Sequence, residues 1–143
     1  MDKRYLTAPC GLACFNCRYL EEKITDHIRM DISEVRNIPV DETGCKGCRE
    51  ESGYCKYMKH DCKTWKCVQE KKLEFCSDCN EFPCLYLAPT FHGASFPHNI
   101  KVYNLCRIRL VGIDKWIEES DIIQKHYFDG DFVVGEGPIL IDK

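Results

Sequence analysis

The chain has 143 residues, 20 Lys+Arg against 23 Asp+Glu for a net charge of −3, and 12 cysteines. That length excludes large barrels and multidomain enzymes, and the slight acidity argues against nucleic-acid binding through bulk charge. Apolar side chains make up 44% of the chain, but the 12 cysteines are counted among them, so an aliphatic core is thin and the cysteines must explain part of the fold.

The N-terminus, Met1-Asp2-Lys3-Arg4, is charged and is followed by no apolar run long enough for a secretory signal. No stretch approaches the roughly 18 apolar residues of a membrane span. The expectation is a cytoplasmic protein with no membrane contact, whose thiols stay reduced and bind metal instead of pairing as disulfides.

In chain order, Arg18 to Asn37 has patchy helical periodicity, and Thr64 to Phe75 reads as a helix between cysteine clusters. Pro83 opens a further short helix carrying Cys84, and Ala88 to Pro97 has the Pro, Gly and Ser content of a connection. Residues 99 to 111 form the next helix, ended by Gly112. An amphipathic helix follows through Ile113, Trp116, Ile117, Ser120, Ile123 and Tyr127, with Asp114 placed to cap its first turn. The runs Phe132-Val133-Val134 and Ile139-Leu140-Ile141 around Gly135 to Pro138 predict a short β-hairpin. Ile, Leu and Val supply 13 of residues 1–88 but 15 of residues 89–143, while 11 of the cysteines lie in the first stretch. The chain therefore divides into a Cys-rich zinc-binding region, 1–88, and a helical segment with a C-terminal hairpin, 89–143, packed as one compact unit. The fold class is small, mainly α and metal-stabilised, and the second region is expected to depend less on metal.

Three C-x-x-C units stand at Cys14/Cys17, Cys45/Cys48 and Cys76/Cys79. A tight turn at this spacing brings two thiolates within reach of one tetrahedral ion, at about 2.3 Å from each sulfur. The residue before the second cysteine is Asn16, Gly47 or Asp78, types that tolerate the left-handed backbone of tight turns. Cys10, Cys55, Cys62, Cys67 and Cys84 complete the candidate ligands. Cys106, between Leu105 and Ile108 on a predicted helix, reads as a small core residue. Eleven thiols do not divide by four: two tetrathiolate sites leave three over, and three sites need a histidine, Cys106 or a bridging thiolate. The simplest pairing joins Cys14 and Cys17 to Cys45 and Cys48, and joins Cys76, Cys79 and Cys84 to Cys67 or Cys62. Zinc, about two ions, is the expected metal; an iron-sulfur cluster is the competitor, because the same thiolates hold it. Cys10-x3-Cys14-x2-Cys17 has the spacing of the radical S-adenosylmethionine cluster motif, but the many β-α units of those enzymes are not visible.

Cys10-Gly11-Leu12-Ala13-Cys14-Phe15-Asn16-Cys17, then Cys45-Lys46-Gly47-Cys48-Arg49, Cys62 to Cys67 and Phe75-Cys76-Ser77-Asp78-Cys79-Asn80-Glu81-Phe82-Pro83-Cys84, resemble the bacterial and archaeal domain-of-unknown-function family 3795. The likeness extends to Gly112-Ile113-Asp114-Lys115-Trp116, similar to that family's G-I-x-x-W segment. The resemblance implies a cytoplasmic zinc-binding protein with no established activity.

The leading functional reading is a structural-zinc module whose surface binds a protein partner. Nucleic acid is a weaker candidate, through the lysines of residues 55–72 (Lys56, Lys59, Lys63, Lys66, Lys71, Lys72) interleaved with Tyr57 and Trp65. The rival class is an iron-sulfur or zinc-dependent redox enzyme, for which His60, His92 and His98 are the histidines to consider. No Gly-rich phosphate loop, H-E-x-x-H or G-x-S-x-G is present.

Overall fold

The computed structural model describes residues 1–89, 97–129, 132–133, 135 and 137–138. Thr90 to Phe96 of the expected connection, and Ile139 to Ile141 of the expected hairpin, lie outside the described residues. Helix α1 (Asp26–Arg36) is shorter than the periodicity predicted, because Thr25 starts it: the Thr25 hydroxyl accepts from the Ile28 N–H at 3.4 Å, and Asp26 in the first turn suits the helix dipole. Asn37, in the left-handed region, ends it. Strands β1 (Tyr54–Cys55) and β2 (His60–Asp61) pair antiparallel, Cys55 opposite His60. Helix α2 (Lys63–Glu70) stops short of the predicted Phe75, and Lys72 turns left-handed at φ 54° just beyond it.

Helix α3 (Lys101–Val111) follows a 3-10 turn over Pro97–Ile100 and ends at Gly112, whose φ of 85° suits glycine. Helix α4 (Ile113–Asp129) begins at once, so Asp114 lies inside its first turn and not at the cap. Arg107 of α3 and Glu119 of α4 clamp the pair with two hydrogen bonds of 2.8 and 2.9 Å. Cys106 is exposed on α3, contrary to the expectation of a core residue: Leu105 and Ile108 take the buried face, and Cys106 is turned about 100° from Leu105. Beyond α4, β3 (Phe132–Val133) pairs antiparallel with β4 (Gly137–Pro138), Val133 opposite Gly137. The second strand thus starts within the segment expected to be the turn.

The core has two parts, each built across the cysteine-rich and helical regions. Phe15 packs with Ile100, Ile108, Trp116 and Ile123. The Phe15 and Trp116 rings meet edge to face at 5.9 Å, a favoured aromatic geometry. In the second part Val68, Phe75, Cys76 and Leu87 enclose Leu105.

The Cys10–Gly11 loop is pressed against α3. Asn104 Nδ2 donates to the Gly11 carbonyl at 2.8 Å, and Gly11 has φ +88°. A Cβ there would lie 2.8 Å from the Lys101 carbonyl oxygen, a backbone atom that cannot swing away. Gly11→Ala is therefore expected to lower stability by about 2 kcal/mol or more, from the left-handed backbone and the clash together. Urea denaturation measures it; an unchanged midpoint would show that the loop does not seat on α3.

Candidate metal centre

Four cysteines line one cavity. Cys67 comes from α2, Cys76 and Cys79 from the start and end of a 3-10 turn (Cys76–Asp78), and Cys84 from the residue before another (Leu85–Leu87). Together with Lys71, Glu81, Phe82 and Tyr86 they line a volume of ≈ 340 Å³. Cys67, not Cys62, lines it. Cys84 precedes its short helix and does not lie within it, and the residue is exposed. The Lys71 ammonium donates to Cys79 Sγ at 3.4 Å and to Glu81 Oε2 at 2.7 Å. Its pKa is raised, chiefly by the Glu81 hydrogen bond and then by Cys79.

The turns that present these thiols are of two kinds. Gly47 has φ +91°, as expected for its knuckle. Asn16 and Asp78 do not adopt left-handed backbone; each closes a 3-10 turn in which the second cysteine's N–H returns to the first cysteine's carbonyl, Cys17 to Cys14 at 3.0 Å and Cys79 to Cys76 at 3.1 Å. Their side chains serve hydrogen bonds instead. Asp78 accepts from the Phe75 N–H at 3.0 Å, and Asn16 Nδ2 donates to Asp121 of α4 at 2.7 Å.

A second thiol group forms where the first two knuckles meet. The Cys45 N–H donates to the Tyr19 carbonyl at 2.9 Å, and the Glu21 N–H to the Cys45 carbonyl at 2.7 Å, so the two loops run side by side. The Tyr57 hydroxyl donates to the Thr43 carbonyl at 2.6 Å and reaches the Tyr19 carbonyl at 3.4 Å, which fastens the β1–β2 hairpin and its Cys55 over both loops. Gly53 carries the link onward: its N–H donates to the Cys48 carbonyl and its carbonyl accepts from the Cys62 N–H, both at 2.9 Å. The Cys10 loop reaches the third knuckle through the Cys76 N–H, which donates to the Pro9 carbonyl at 2.9 Å.

The sulfurs are already hydrogen-bonded as ligands would be. The Tyr19 N–H points at Cys17 Sγ at 3.4 Å and the Gly47 N–H at Cys45 Sγ at 3.3 Å. The Cys14 and Cys48 thiols act on each other, which raises the Cys14 pKa and lowers that of Cys48. Burial pushes the thiols of Cys10 and Cys76 up to about 12 and that of Cys45 up to about 11. Raised thiols stay protonated and neutral, so binding a cation there releases protons.

As the side chains stand, no group of three or more His, Cys, Asp or Glu among the described residues is arranged to hold a metal ion. The donor set nonetheless fits zinc in chemistry: soft thiols, two of them with backbone N–H donors aimed at sulfur.

The other candidates are accounted for as follows. His60 is exposed, its Nδ1 3.0 Å from the Asp61 carbonyl, and His98 has its pKa lowered by burial. His92 lies outside the described residues. Among the basic residues of 55–72, Lys56 is drawn onto the Gly44 carbonyl at 2.7 Å and Glu51 at 3.1 Å, and Tyr57 faces inward. Lys59, Lys63 and Lys72 are exposed. The sequence carries no signal for Tyr57 as a fastener of the hairpin or for Lys101, a buried lysine whose ammonium donates to the Ala88 carbonyl at 3.3 Å.

No helix among the described residues is long and apolar enough to cross a membrane. No curated protein and no solved structure matches the chain. The sequence model of the family described as "Protein of unknown function (DUF3795)" matches residues 6–89, a span that takes in every cysteine of both thiol groups and stops before α3. The chain belongs to the DUF3795 family.

Proposed function

We propose that the protein is a zinc-stapled module, in which thiolate-bound zinc takes the place of aliphatic packing and the exposed surface engages a protein partner. The observation that carries this reading is the cavity lined by Cys67, Cys76, Cys79 and Cys84, four thiol donors, as many as a tetrahedral zinc takes, drawn from three elements of the chain. Lys71, 3.4 Å from Cys79 Sγ, offsets part of the charge that four thiolates would leave on one zinc. Beside this cavity Leu85 is 92% and Tyr86 52% exposed, an apolar edge of the kind protein interfaces use.

Elemental analysis of protein purified without added metal tests the reading. At least two zinc ions per chain are expected. Iron with acid-labile sulfide would overturn zinc in favour of a cluster, and a folded, metal-free chain would overturn both.

A further inference from the structure

We propose that the cavity between α2 and the Leu85–Leu87 turn docks a short acidic peptide of a partner protein, which seats one bulky apolar side chain against Leu85 and Tyr86 and sets its carboxylates on the lysines of α2. The proposal deepens the partner reading above and rests on it.

The cavity holds more room than an ion needs. A zinc held about 2.3 Å from each sulfur uses little space. The volume of ≈ 340 Å³ falls instead within the range of small-ligand pockets, about 300–1,000 Å³. Beside the cysteines its walls are apolar: Val68, Leu73, Phe82, Leu85, Tyr86 and Leu87. Val68 and Leu87 are buried in the part of the core that encloses Leu105, so this wall is anchored. The Thr64 hydroxyl donates to the Tyr86 carbonyl at 3.3 Å and ties the turn to α2. Leu85 therefore stands in solvent on a held turn, and a partner that covers it orders little of this chain in doing so.

Charge selects the occupant. Residues 63–72 carry four lysines against one glutamate, in a chain whose net charge is −3. Lys63, Cys67 and Lys71 recur at i, i+4 and i+8, so the two lysines flank Cys67 on the side of α2 that borders the cavity. Lys66 and Lys72 are also exposed. Acidic neighbours answer only part of this charge. Glu81 takes Lys71 at 2.7 Å, and Glu70 stands 3.9 Å from Lys66 with both side chains in solvent. Lys63 and Lys72 have no ion-pair partner among the described residues. Four thiolates on one zinc add a charge of about −2 within the cavity, and Lys71, 3.4 Å from Cys79 Sγ, meets it first. The charges left for a partner to meet are lysines, which draw an acidic segment in and repel a basic one.

The test selects binders from a random peptide library displayed on phage, with the full chain as bait and its zinc content read in parallel. Enriched peptides are expected to carry Asp or Glu around one Phe, Leu, Ile or Met. The strongest of them, synthesised with a fluorescent label, should bind at least about tenfold more weakly to Leu85→Ser, the loss expected of an interface anchor. The double variant Lys63→Glu with Lys72→Glu should weaken it by about as much. Leu110→Ser, at an exposed leucine of α3, serves as control and should leave binding and zinc content unchanged. Enriched peptides that lack acids, or tighter binding of a thymidine oligonucleotide to the same lysines, would overturn the acidic partner, as would self-association that Leu85→Ser abolishes. Peptide binding that Leu85→Ser leaves unchanged would overturn this site while leaving a partner elsewhere on the surface. A zinc-loaded chain that selects no peptide would overturn the partner reading as well, and a chain that selects acidic peptides while holding no zinc would overturn the zinc reading alone.

Discussion

With zinc bound as proposed, its removal by a strong chelator is expected to unfold the whole chain, helices α3 and α4 included. Structural zinc contributes binding energy on the order of 10 kcal/mol per ion, against a total stability of about 5–15 kcal/mol for an ordinary domain. The aliphatic poverty of residues 1–88 implies that metal dependence is greater there than in residues 89–143. The packing argues otherwise. Trp116 and Ile123 rest on Phe15, which lies between Cys14 and Cys17, and Leu105 rests on Phe75 and Cys76. Without those turns α3 and α4 are two bare helices, too little to bury a core of their own. Amide hydrogen exchange with and without chelator measures this. Retained protection in α3 and α4 after metal loss would show that they fold independently of the cysteine region.

Trp116→Ala is the single substitution outside the cysteines expected to cost most, about 3–5 kcal/mol. The indole is 0% exposed and is the largest side chain so enclosed, and its removal also strands Phe15. Leu85→Ala, at a residue 92% exposed, serves as the control and should shift stability by no more than about 0.5 kcal/mol. Equilibrium denaturation of metal-loaded protein compares the two, and a loss below about 1 kcal/mol for Trp116→Ala would contradict the packing of α4 on the first knuckle.

The helical half was legible because its signals are local. Gly112 ended α3 as expected, and the apolar spacing through Trp116, Ser120 and Ile123 marked the buried face of α4. Misreadings arose where a residue type permits several roles. Cys106 was assigned to the core from its apolar neighbours, though helical geometry turns it outward. Asn16 and Asp78 are residue types that tolerate left-handed turns, yet both close 3-10 turns and use their side chains elsewhere. The helix predicted from Arg18 begins only at Asp26, and the Thr25-Asp26 pair was the available signal for that start.

In the cysteine region the motifs exposed the donors but not their grouping. Spacing along the chain shows that Cys14 and Cys17 share a turn; it does not show that Gly53 would tie the Cys48 loop to Cys62 or that the Tyr57 hydroxyl would reach the Thr43 carbonyl. Those relations depend on pairs far apart in sequence, as does the Arg4–Glu74 ion pair at 2.8 Å between residues 70 apart.

The seat of the Cys10–Gly11 loop has a consequence for synthesis. Asn104, which holds the Gly11 carbonyl, lies 93 residues downstream, and the Cys76 N–H that holds the Pro9 carbonyl also comes late. At translation rates of about 5–20 residues per second, the loop leaves the ribosome roughly 5–20 s before the helix that covers it. During that interval its thiol has no shelter from oxidants or from competing metals. Early capture of an ion by the first two knuckles, complete once Cys48 has emerged, would hold the nascent chain in register until α3 arrives.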